Sequence, residues 1–319
     1  MNRQKRKSSQ KKKIRKLSKL SQQPSLSYNI NNIQDNTQRT IKNNNRFILN
    51  KILGVGGLCE VFLATDLLRV TCGDNSPQVA IKRLLPQYAQ EFKAKQLLVR
   101  EFIITRSLNH SGVVRVYDLH DTPYGPVISM ELLEGELLSS FKFRLGDEII
   151  PIAKSLFETL QIMHGFHVAH GDIKPGNILL EKNSRLVLFD FNTADVETPA
   201  GTPSSSVTRS ICADLRIPSY SPLYASPERL QGAAPSIADD MFAACCTLYE
   251  LAEGAHPFNR KPSLEAMAYN FEDGVLKYLP KKFRTLLING LSFEPGKRPS
   301  AQDFNDALNR KGVFQHVFG

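Results

Sequence analysis

Long apolar runs, paired cysteines and acidic residues near the start are what this 319-residue sequence lacks. No apolar run reaches the roughly eighteen residues of a membrane-spanning helix, so none is predicted. The basic N-terminus has no apolar stretch of the kind that a secretory signal needs. The cysteines show neither metal-site nor disulfide spacing, which favours a reducing, cytoplasmic compartment. They are Cys59, Cys72, Cys212, Cys245 and Cys246.

Acidic residues are absent from positions 1–20, which carry ten of the chain's 41 cations. The remainder therefore has 31 cations against 31 anions, and the net charge of +10 belongs to this segment alone. Positions 21–45 are rich in Asn, Gln and Ser and almost free of large apolar side chains. Such a segment cannot bury enough surface to offset its ordering entropy. We therefore predict that residues 1–45 form a disordered tail.

Several roles fit this basic tail. It can be a solubilising extension, or it can contact an anionic membrane surface or nucleic acid. The run Lys11–Lys16 also fits a nuclear import signal. No aromatic residue lies among the cations, which argues against single-stranded nucleic acid as the partner. These alternatives remain open at the level of sequence.

The segment 170–180 brings an Asp, a Lys and an Asn close together in the chain. Asp172 can accept a proton from an attacking hydroxyl, and Lys174 can stabilise a phosphate during its transfer. The side-chain oxygen of Asn177 suits a hard cation such as Mg²⁺. An apolar strand pattern at 186–189 ends in Asp190, whose carboxylate can make a second contact to that cation.

This pattern resembles the catalytic loop and metal-binding triplet of eukaryotic-type (Hanks-type) serine/threonine protein kinases. The resemblance implies that Asp172 orients and deprotonates the acceptor and that Lys174 offsets charge on the transferred phosphoryl group. It also implies that Asn177 and Asp190 bind Mg²⁺. Ser221 matches a Thr that contacts the catalytic Asp and Lys in this family, which favours Ser or Thr over Tyr as acceptor.

The resemblance extends over residues 46–310 and implies an ATP site. The glycine-rich stretch at 53–61 resembles the loop whose backbone N–H groups approach phosphate oxygens. The V-A-I-K strand follows, and Lys82 is expected to pair with Glu101 on a predicted helix. Met130 matches the residue at the back of the family's adenine pocket, and residues 131–133 match the hinge, whose backbone contacts the adenine edge. The implied nucleotide contacts are Leu53, Gly54, Val55, Gly56, Gly57, Leu58, Cys59, Glu60, Val61, Ala80, Lys82, Met130, Glu131 and Leu133.

Three further matches in the C-terminal half are structural. Glu228 lies in a triplet similar to A-P-E, and Arg298 matches its usual partner, so we expect a Glu228–Arg298 ion pair. Asp240 begins an apolar helix that is predicted to be buried, and the matching residue caps the catalytic-loop backbone in the family.

These elements predict a two-lobed α+β fold of the protein kinase kind. Residues 46–133 are expected to form a small, ATP-binding lobe with five mainly antiparallel strands and one helix. The predicted strands are 47–53, 59–64, 77–83, 113–119 and 126–132, and the helix is 91–107. Residues 134–319 are expected to form a larger, mainly helical catalytic lobe. One helix is predicted from apolar residues spaced by three and four between Ile149 and Met163.

The sequence departs from the family at three positions. Cys59 replaces the third glycine of the loop, where a Cβ can crowd the turn. Asn192 replaces the glycine of the metal triplet and can adopt the unusual backbone angles that a turn there would need. Gly171 replaces the Arg before the catalytic Asp, which argues against activation by a phosphate on the long polar loop 190–228.

The sequence therefore indicates a cytoplasmic serine/threonine protein kinase that uses ATP and Mg²⁺ and also phosphorylates itself. One alternative is a small-molecule kinase of the aminoglycoside or choline type, because His-Gly-Asp also occurs there. Another is a pseudokinase that binds ATP and signals by contact. The combined presence of Lys82, Lys174 and the A-P-E-like triplet argues against a small-molecule kinase. The retained metal ligands argue against a pseudokinase.

Overall fold

The computed structural model describes residues 39–40, 46–123, 125–141, 148–197, 220–266 and 276–309, with the backbone alone for 39–40. These residues form a two-lobed α+β fold, which confirms the predicted class. An antiparallel sheet and one long helix dominate the small lobe, and helices dominate the large lobe. No helix within these ranges combines the length and the apolar character needed to cross a bilayer.

Six strands form the small-lobe sheet in the part of the chain described, in the spatial order β1-β2-β3-β4-β6-β5. Five of them match predicted strands. The sixth, β1, lies within the segment predicted to be disordered and pairs antiparallel with β2. The rest of residues 1–45 lies outside the described residues. The strand bounds are Arg39–Thr40 (β1), Phe47–Val55 (β2), Cys59–Asp66 (β3), Gln78–Leu84 (β4), Val116–His120 (β5) and Val127–Met130 (β6).

The pairing of β3 with β4 determines which side chains face the cleft. Val61 lies opposite Lys82, and Glu60 lies opposite Arg83. Because side chains alternate between the faces of a strand, Val61 and Lys82 share one face while Glu60 and Arg83 occupy the other.

Two helices accompany this sheet. The predicted long helix is α2, Phe92–Ser107, while the short α1, Leu67–Thr71, was not predicted. Asp66 begins α1, because its carboxylate accepts a hydrogen bond from the Leu68 N–H. The buried face of α2 packs in one apolar cluster with residues of β3, β4, β6 and the glycine-rich loop. This cluster contains Leu58, Cys59, Leu84, Ala94, Leu97, Leu98 and Ile128.

The large lobe is built on five helices within the described residues: α3 (Ile149–Gly165), α4 (Pro227–Leu230), α5 (Ile237–Glu253), α6 (Lys281–Gly290) and α7 (Ala301–Asn309). The predicted apolar face of α3 is buried. The helix α5 is buried nearly all round, as its apolar sequence predicts. Ser236 caps its first turn, and Gly254 ends it in the left-handed conformation.

Short strands frame the two polar loops of interest. They are β7 (Gly135–Leu137), β8 (Val168–Ala169), β9 (Ile178–Glu181), β10 (Leu186–Leu188) and β11 (Asp195–Val196). Strands β7, β9 and β10 form one small sheet, and β8 pairs with β11. The loop 170–177 connects β8 to β9, and the loop 189–194 connects β10 to β11, so the two loops are brought side by side.

Candidate active site

Asp240 fixes the backbone at the start of the loop 170–177. Its carboxylate accepts hydrogen bonds from the N–H groups of His170, at 2.8 Å, and Gly171, at 2.9 Å. Asp240 is only 1% exposed, and it lies in the first turn of the buried helix α5. The predicted cap is confirmed, and it anchors the loop to the core of the large lobe.

Asp172, Lys174, Asn177 and Ser221 form one hydrogen-bonded group. Lys174 Nζ lies 2.6 Å from Asp172 Oδ2 and 2.7 Å from Ser221 Oγ. The Ser221 N–H donates to Asp172 Oδ1 at 2.7 Å. The Asn177 amide nitrogen donates to the Asp172 carbonyl at 2.9 Å, which makes the amide oxygen the atom that can ligate a cation. The structure thus brings together the residues predicted for the acceptor side.

Lys82 lies between two carboxylates on the other side of the cleft. Its Nζ is 2.6 Å from Glu101 Oε1 on α2 and 2.7 Å from Asp190 Oδ1. Burial alone would lower the pKa of Lys82, but the two carboxylates outweigh it and hold the pKa above its ordinary value. The ammonium therefore stays charged, and the predicted Lys82–Glu101 pair is confirmed.

The two carboxylates are affected differently. Burial raises the pKa of Glu101, and Asp190 adds to this while Lys82 opposes it. Burial also acts to raise the pKa of Asp190, but Lys82 outweighs it and the pKa falls below its ordinary value. Asp190 is therefore an anion whose side chain is 33% exposed. A hard cation prefers such a group.

The backbone after β10 turns at a different residue from the one predicted. Asp190, with φ of 67°, adopts the left-handed conformation, whereas Asn192 is not among the described residues with positive φ. His170 fixes this turn, because its Nε2 lies 3.1 Å from the Phe189 carbonyl oxygen and its ring packs edge-on against Phe191. The strain that would be expected at the triplet's third residue is therefore carried by Asp190, the residue predicted to bind the metal.

Only part of the predicted glycine-rich loop offers side chains to the cleft. Leu53 and Val55 are exposed, and a Cβ at Gly54 would meet no atom within 4 Å, so there is open space beside this backbone. Val61 and Ala80 lie on the same face as Lys82. Gly56 donates its N–H to the Cys59 carbonyl at 2.7 Å, which closes the turn.

Three side chains of this loop point elsewhere. Leu58 and Cys59 are buried in the apolar cluster beneath α2, and burial raises the pKa of the Cys59 thiol to about 12. The Glu60 carboxylate lies on the opposite face of the sheet, 2.7 Å from Arg83 Nε. Contact of these three residues with a nucleotide stays a prediction, and their backbone atoms are the groups that such a contact would use.

The predicted hinge also offers backbone rather than charge. The Glu131 carboxylate is held 2.7 Å from Arg185 Nη2 and accepts the Arg115 N–H at 2.7 Å. Burial opposes ionisation of Glu131, but the hydrogen bonds and charges of Arg185 and Arg115 together outweigh it and lower the pKa. Its N–H donates to the Arg115 carbonyl, so the Glu131 carbonyl is the group left for an adenine edge. Met130 lies opposite Ala80 in the sheet, on the cleft-facing side.

The predicted Glu228–Arg298 ion pair is present. Arg298 Nη1 and Nη2 lie 2.5 and 2.9 Å from the two carboxylate oxygens of Glu228. Arg298 also donates from Nη1 to the Ala238 carbonyl at 2.9 Å, which links the pair to α5. Burial opposes ionisation of Glu228, yet the hydrogen bonds to its carboxylate and the charge of Arg298 together outweigh it, and the pKa lies below its ordinary value.

Gly171 occupies a position where a side chain would be crowded and its backbone strained. Its φ is +77°, and a Cβ would lie 3.0 Å from both the Thr193 carbonyl oxygen and the Pro235 Cβ. Thr193 also donates its hydroxyl to the His170 carbonyl at 3.0 Å. The backbone at Gly171 is therefore fixed by packing as well as by Asp240.

Sequence reasoning missed several groups that hold these loops. The roles of His170 and Thr193 were not predicted, although both lie inside the quoted motifs. The ion pair between Arg100 of α2 and Asp195 of β11 was also missed. No local pattern connects residues so distant in the chain. Eight hydroxyl residues of the polar loop lie outside the described residues: Thr198, Thr202, Ser204, Ser205, Ser206, Thr208, Ser210 and Ser219.

Comparison with known proteins agrees with this geometry. Residues 47–308 match the family model described as protein kinase domain. The chain is 31% identical over 221 residues to serine/threonine-protein kinase PknB of Mycolicibacterium smegmatis, which covers 67% of this chain and 33% of the relative. It is 27% identical over 299 residues to serine/threonine-protein kinase PknD of Chlamydia trachomatis, covering 82% and 31%. The similarity thus spans about a third of the length of these relatives.

A eukaryotic relative gives the same family. Serine/threonine-protein kinase 36 of Pongo abelii is 30% identical over 233 residues, which covers 72% of this chain and 17% of the relative. The family-model match, residues 47–308, contains both sides of the cleft.

Proposed function

The chain belongs to the protein kinase family, and from this premise we propose that it is a serine/threonine protein kinase. It transfers the γ-phosphoryl group of ATP to Ser or Thr hydroxyls of protein substrates, its own chain included. The observation that carries the proposal is the position of Lys82, with Nζ within hydrogen-bond distance of both Glu101 and Asp190. An ATP-binding pseudokinase can share this arrangement, and the acceptor-side group of Asp172, Lys174 and Ser221 is what favours transfer over binding alone.

The nucleotide fits the cleft face of the small lobe. Leu53, Val61 and Ala80 supply apolar contacts to the adenine, and the Glu131 carbonyl accepts from its amino group. The backbone at Gly54 has open space where phosphates can approach. Lys82 then contacts the phosphates.

The donor set also fits a magnesium ion. Asp190 and the side-chain oxygen of Asn177 are hard oxygen ligands, and phosphate oxygens complete the shell of such an ion. When bound, Mg²⁺ neutralises charge that develops on the phosphates.

Asp172 and Lys174 act on the acceptor. The acceptor hydroxyl oxygen bonds to the γ-phosphorus as the bond from that phosphorus to the β–γ bridging oxygen breaks. ADP leaves, and the hydroxyl proton passes to Asp172. Lys174, 2.6 Å from Asp172 and 2.7 Å from Ser221, offsets charge on the phosphoryl group. Positioning and electrostatics carry most of the acceleration in such a site.

The test is phosphoryl transfer by the purified chain with labelled ATP and Mg²⁺, with phosphosites mapped by mass spectrometry. Phosphoserine or phosphothreonine on a generic protein or on the chain itself is the expected result. Transfer only to an aminoglycoside or choline-like compound, or ATP binding with no transfer, would contradict the proposal. The control is Asp303→Asn, an exposed carboxylate on α7 far from the cleft.

The place of action and the tail are part of the same proposal. The described cysteines are all free, and Cys245 and Cys246 are buried packing residues of α5, which supports a reducing, cytoplasmic compartment. The basic tail is proposed to contact an anionic membrane surface or nucleic acid, with nuclear import as the remaining alternative.

A further inference from the structure

An ion pair joins the small lobe to the segment that follows the metal-binding loop. Arg100 Nη2 of α2 pairs with Asp195 Oδ1 of β11. The Arg100 side chain is 29% exposed and the Asp195 side chain 10%, so the pair is largely shielded from water. A second bond fixes the carboxylate, since Asp195 Oδ1 also accepts the Val196 N–H at 3.0 Å.

The positions of the two partners in the chain matter. Arg100 directly precedes Glu101, the residue that holds Lys82. Asp195 lies opposite Ala169 in the β8–β11 pair, and Ala169 directly precedes His170 of the catalytic loop. The ion pair therefore connects α2, which carries Glu101, to the β8–β11 strand pair, which leads into the catalytic loop.

A cation that could bind a loop phosphate is missing beside the catalytic Asp. Gly171 has no side chain, and a Cβ there would be crowded by Pro235 and the Thr193 carbonyl. Asp195 instead supplies a permanent carboxylate within reach of α2. A carboxylate and a guanidinium form strong, charge-assisted hydrogen bonds, and partial burial reduces their screening by salt.

We propose that Arg100 and Asp195 are positioning residues, here called the α2 clasp, which hold Glu101 against Lys82 without a phosphate on the loop. The proposal rests on the proposed kinase function. Without the clasp, α2 can move away from the cleft, and Lys82 loses the carboxylate that orients it. Neither residue touches the substrates, so the clasp acts through Glu101.

The test is a double-mutant cycle with Arg100→Gln, Asp195→Asn and the two combined. Each single variant should lower kcat about tenfold, and the double variant should be no slower than either, because coupled partners lose one shared interaction. The KM for a peptide substrate should stay within about twofold, since the acceptor side keeps its own anchors. Two results would overturn the proposal. One is a loss of kcat in the double variant equal to the product of the two single losses, and the other is an unchanged kcat in both single variants.

A second measurement does not need catalysis. Backbone hydrogen exchange in residues 92–107 should be faster in each single variant and equally fast in the double variant. The matched control is Arg106→Gln on the same helix, whose guanidinium bonds to the Tyr117 carbonyl at 2.6 Å within the small lobe. If the unmodified chain transferred no phosphoryl group, the proposed function would fail while exchange would still decide on the clasp. Exchange in α2 that is unchanged by either clasp variant would contradict it.

Discussion

On the small-lobe side of the cleft, Lys82 lies between the carboxylates of Glu101 and Asp190, and Glu101 belongs to the separate helix α2. On the large-lobe side, Asp172 accepts hydrogen bonds from a backbone N–H and from side chains of its own loop, and that loop is capped by Asp240 in the core. The first site is assembled from charges on separate elements. The second is fixed by backbone hydrogen bonds.

This difference indicates where activity can be regulated. Ion pairs between separate elements disappear when an element moves, whereas a capped loop keeps its shape as long as the lobe is folded. Displacement of α2 should therefore disable the nucleotide side and leave the acceptor side formed. The buried anchors of the acceptor side make it part of the stability of the lobe itself.

The largest effect should come from removing the reactive group on either side. We expect Asp172→Asn and Lys82→Met each to lower phosphoryl transfer by at least ~10²-fold, the scale for losing one preorganised group. Asp172→Asn should keep ATP affinity within about twofold, whereas Asp190→Asn should weaken Mg²⁺-dependent nucleotide binding. Kinetics and calorimetric ATP titration measure these effects. Full activity in Asp172→Asn would remove the assignment of the acceptor side.

The next largest effect concerns the stability that the partly buried Glu228–Arg298 ion pair gives to the large lobe. We expect Glu228→Gln to destabilise the protein by about 2 kcal/mol at neutral pH, because Arg298 loses its charged partner. The pKa of Glu228 is lower in the folded state than its ordinary value of 4.5, so its contribution is present above that pH and is lost as pH falls through the folded pKa. Denaturant unfolding at several pH values measures this.

The pH series carries its own control. The difference between Glu228→Gln and the unmodified chain should shrink in acid, where both carry a neutral side chain. Lys297, on the same turn as Arg298, pairs with Glu294 on the exposed surface, and Glu294→Gln should change stability by less than about 1 kcal/mol. A difference that stayed constant with pH would show that the pair adds no charge-dependent stability.

A smaller effect is expected from loop phosphates. Because Gly171 offers no cation beside Asp172, phosphatase treatment should keep the initial rate on a generic substrate within about threefold, far below the loss for an essential preorganised group. A loss of about tenfold that re-phosphorylation restores would show that another cation binds a loop phosphate. Arg209 and Arg216, which lie outside the described residues, would then be replaced in turn.

The smallest effect should come from the basic tail. Deleting residues 1–38, which spares β1, should leave the rate on a small peptide within about twofold, since the net charge of the remainder is near zero. It should abolish salt-sensitive binding to anionic vesicles or duplex DNA. Measuring binding to vesicles and to duplex DNA at increasing salt concentrations shows which of the two the tail binds. Binding that persisted in the shortened chain would place the charged surface on the folded part.

Sequence predicted the site better than it predicted side-chain directions. The order of Lys82, Asp172 and Asp190 along the chain determines which loops they occupy, and the fold brings those loops together. Glu60 was assigned to the nucleotide although it directly precedes the cleft-facing Val61. Strand alternation could have shown that the two face opposite ways.

Other features had no sequence signal strong enough to predict them. Strand β1 lies in a polar segment, and its backbone pairs antiparallel with that of β2. Arg100 and Asp195 each look like surface charges in isolation. Their pairing follows from the packing of α2 against the large lobe, which no local pattern encodes.

The tight fit around Gly171 also limits how this molecule can be changed. A single substitution to arginine there would place a Cβ 3.0 Å from a carbonyl oxygen and from a rigid proline ring carbon, on a backbone that side chains rarely adopt. An arginine there would therefore strain the loop, and Pro235 and the Thr193 carbonyl would have to shift by a few tenths of an ångström to accommodate it. A phosphate-gated variant made by this one substitution would thus start from a less stable catalytic loop.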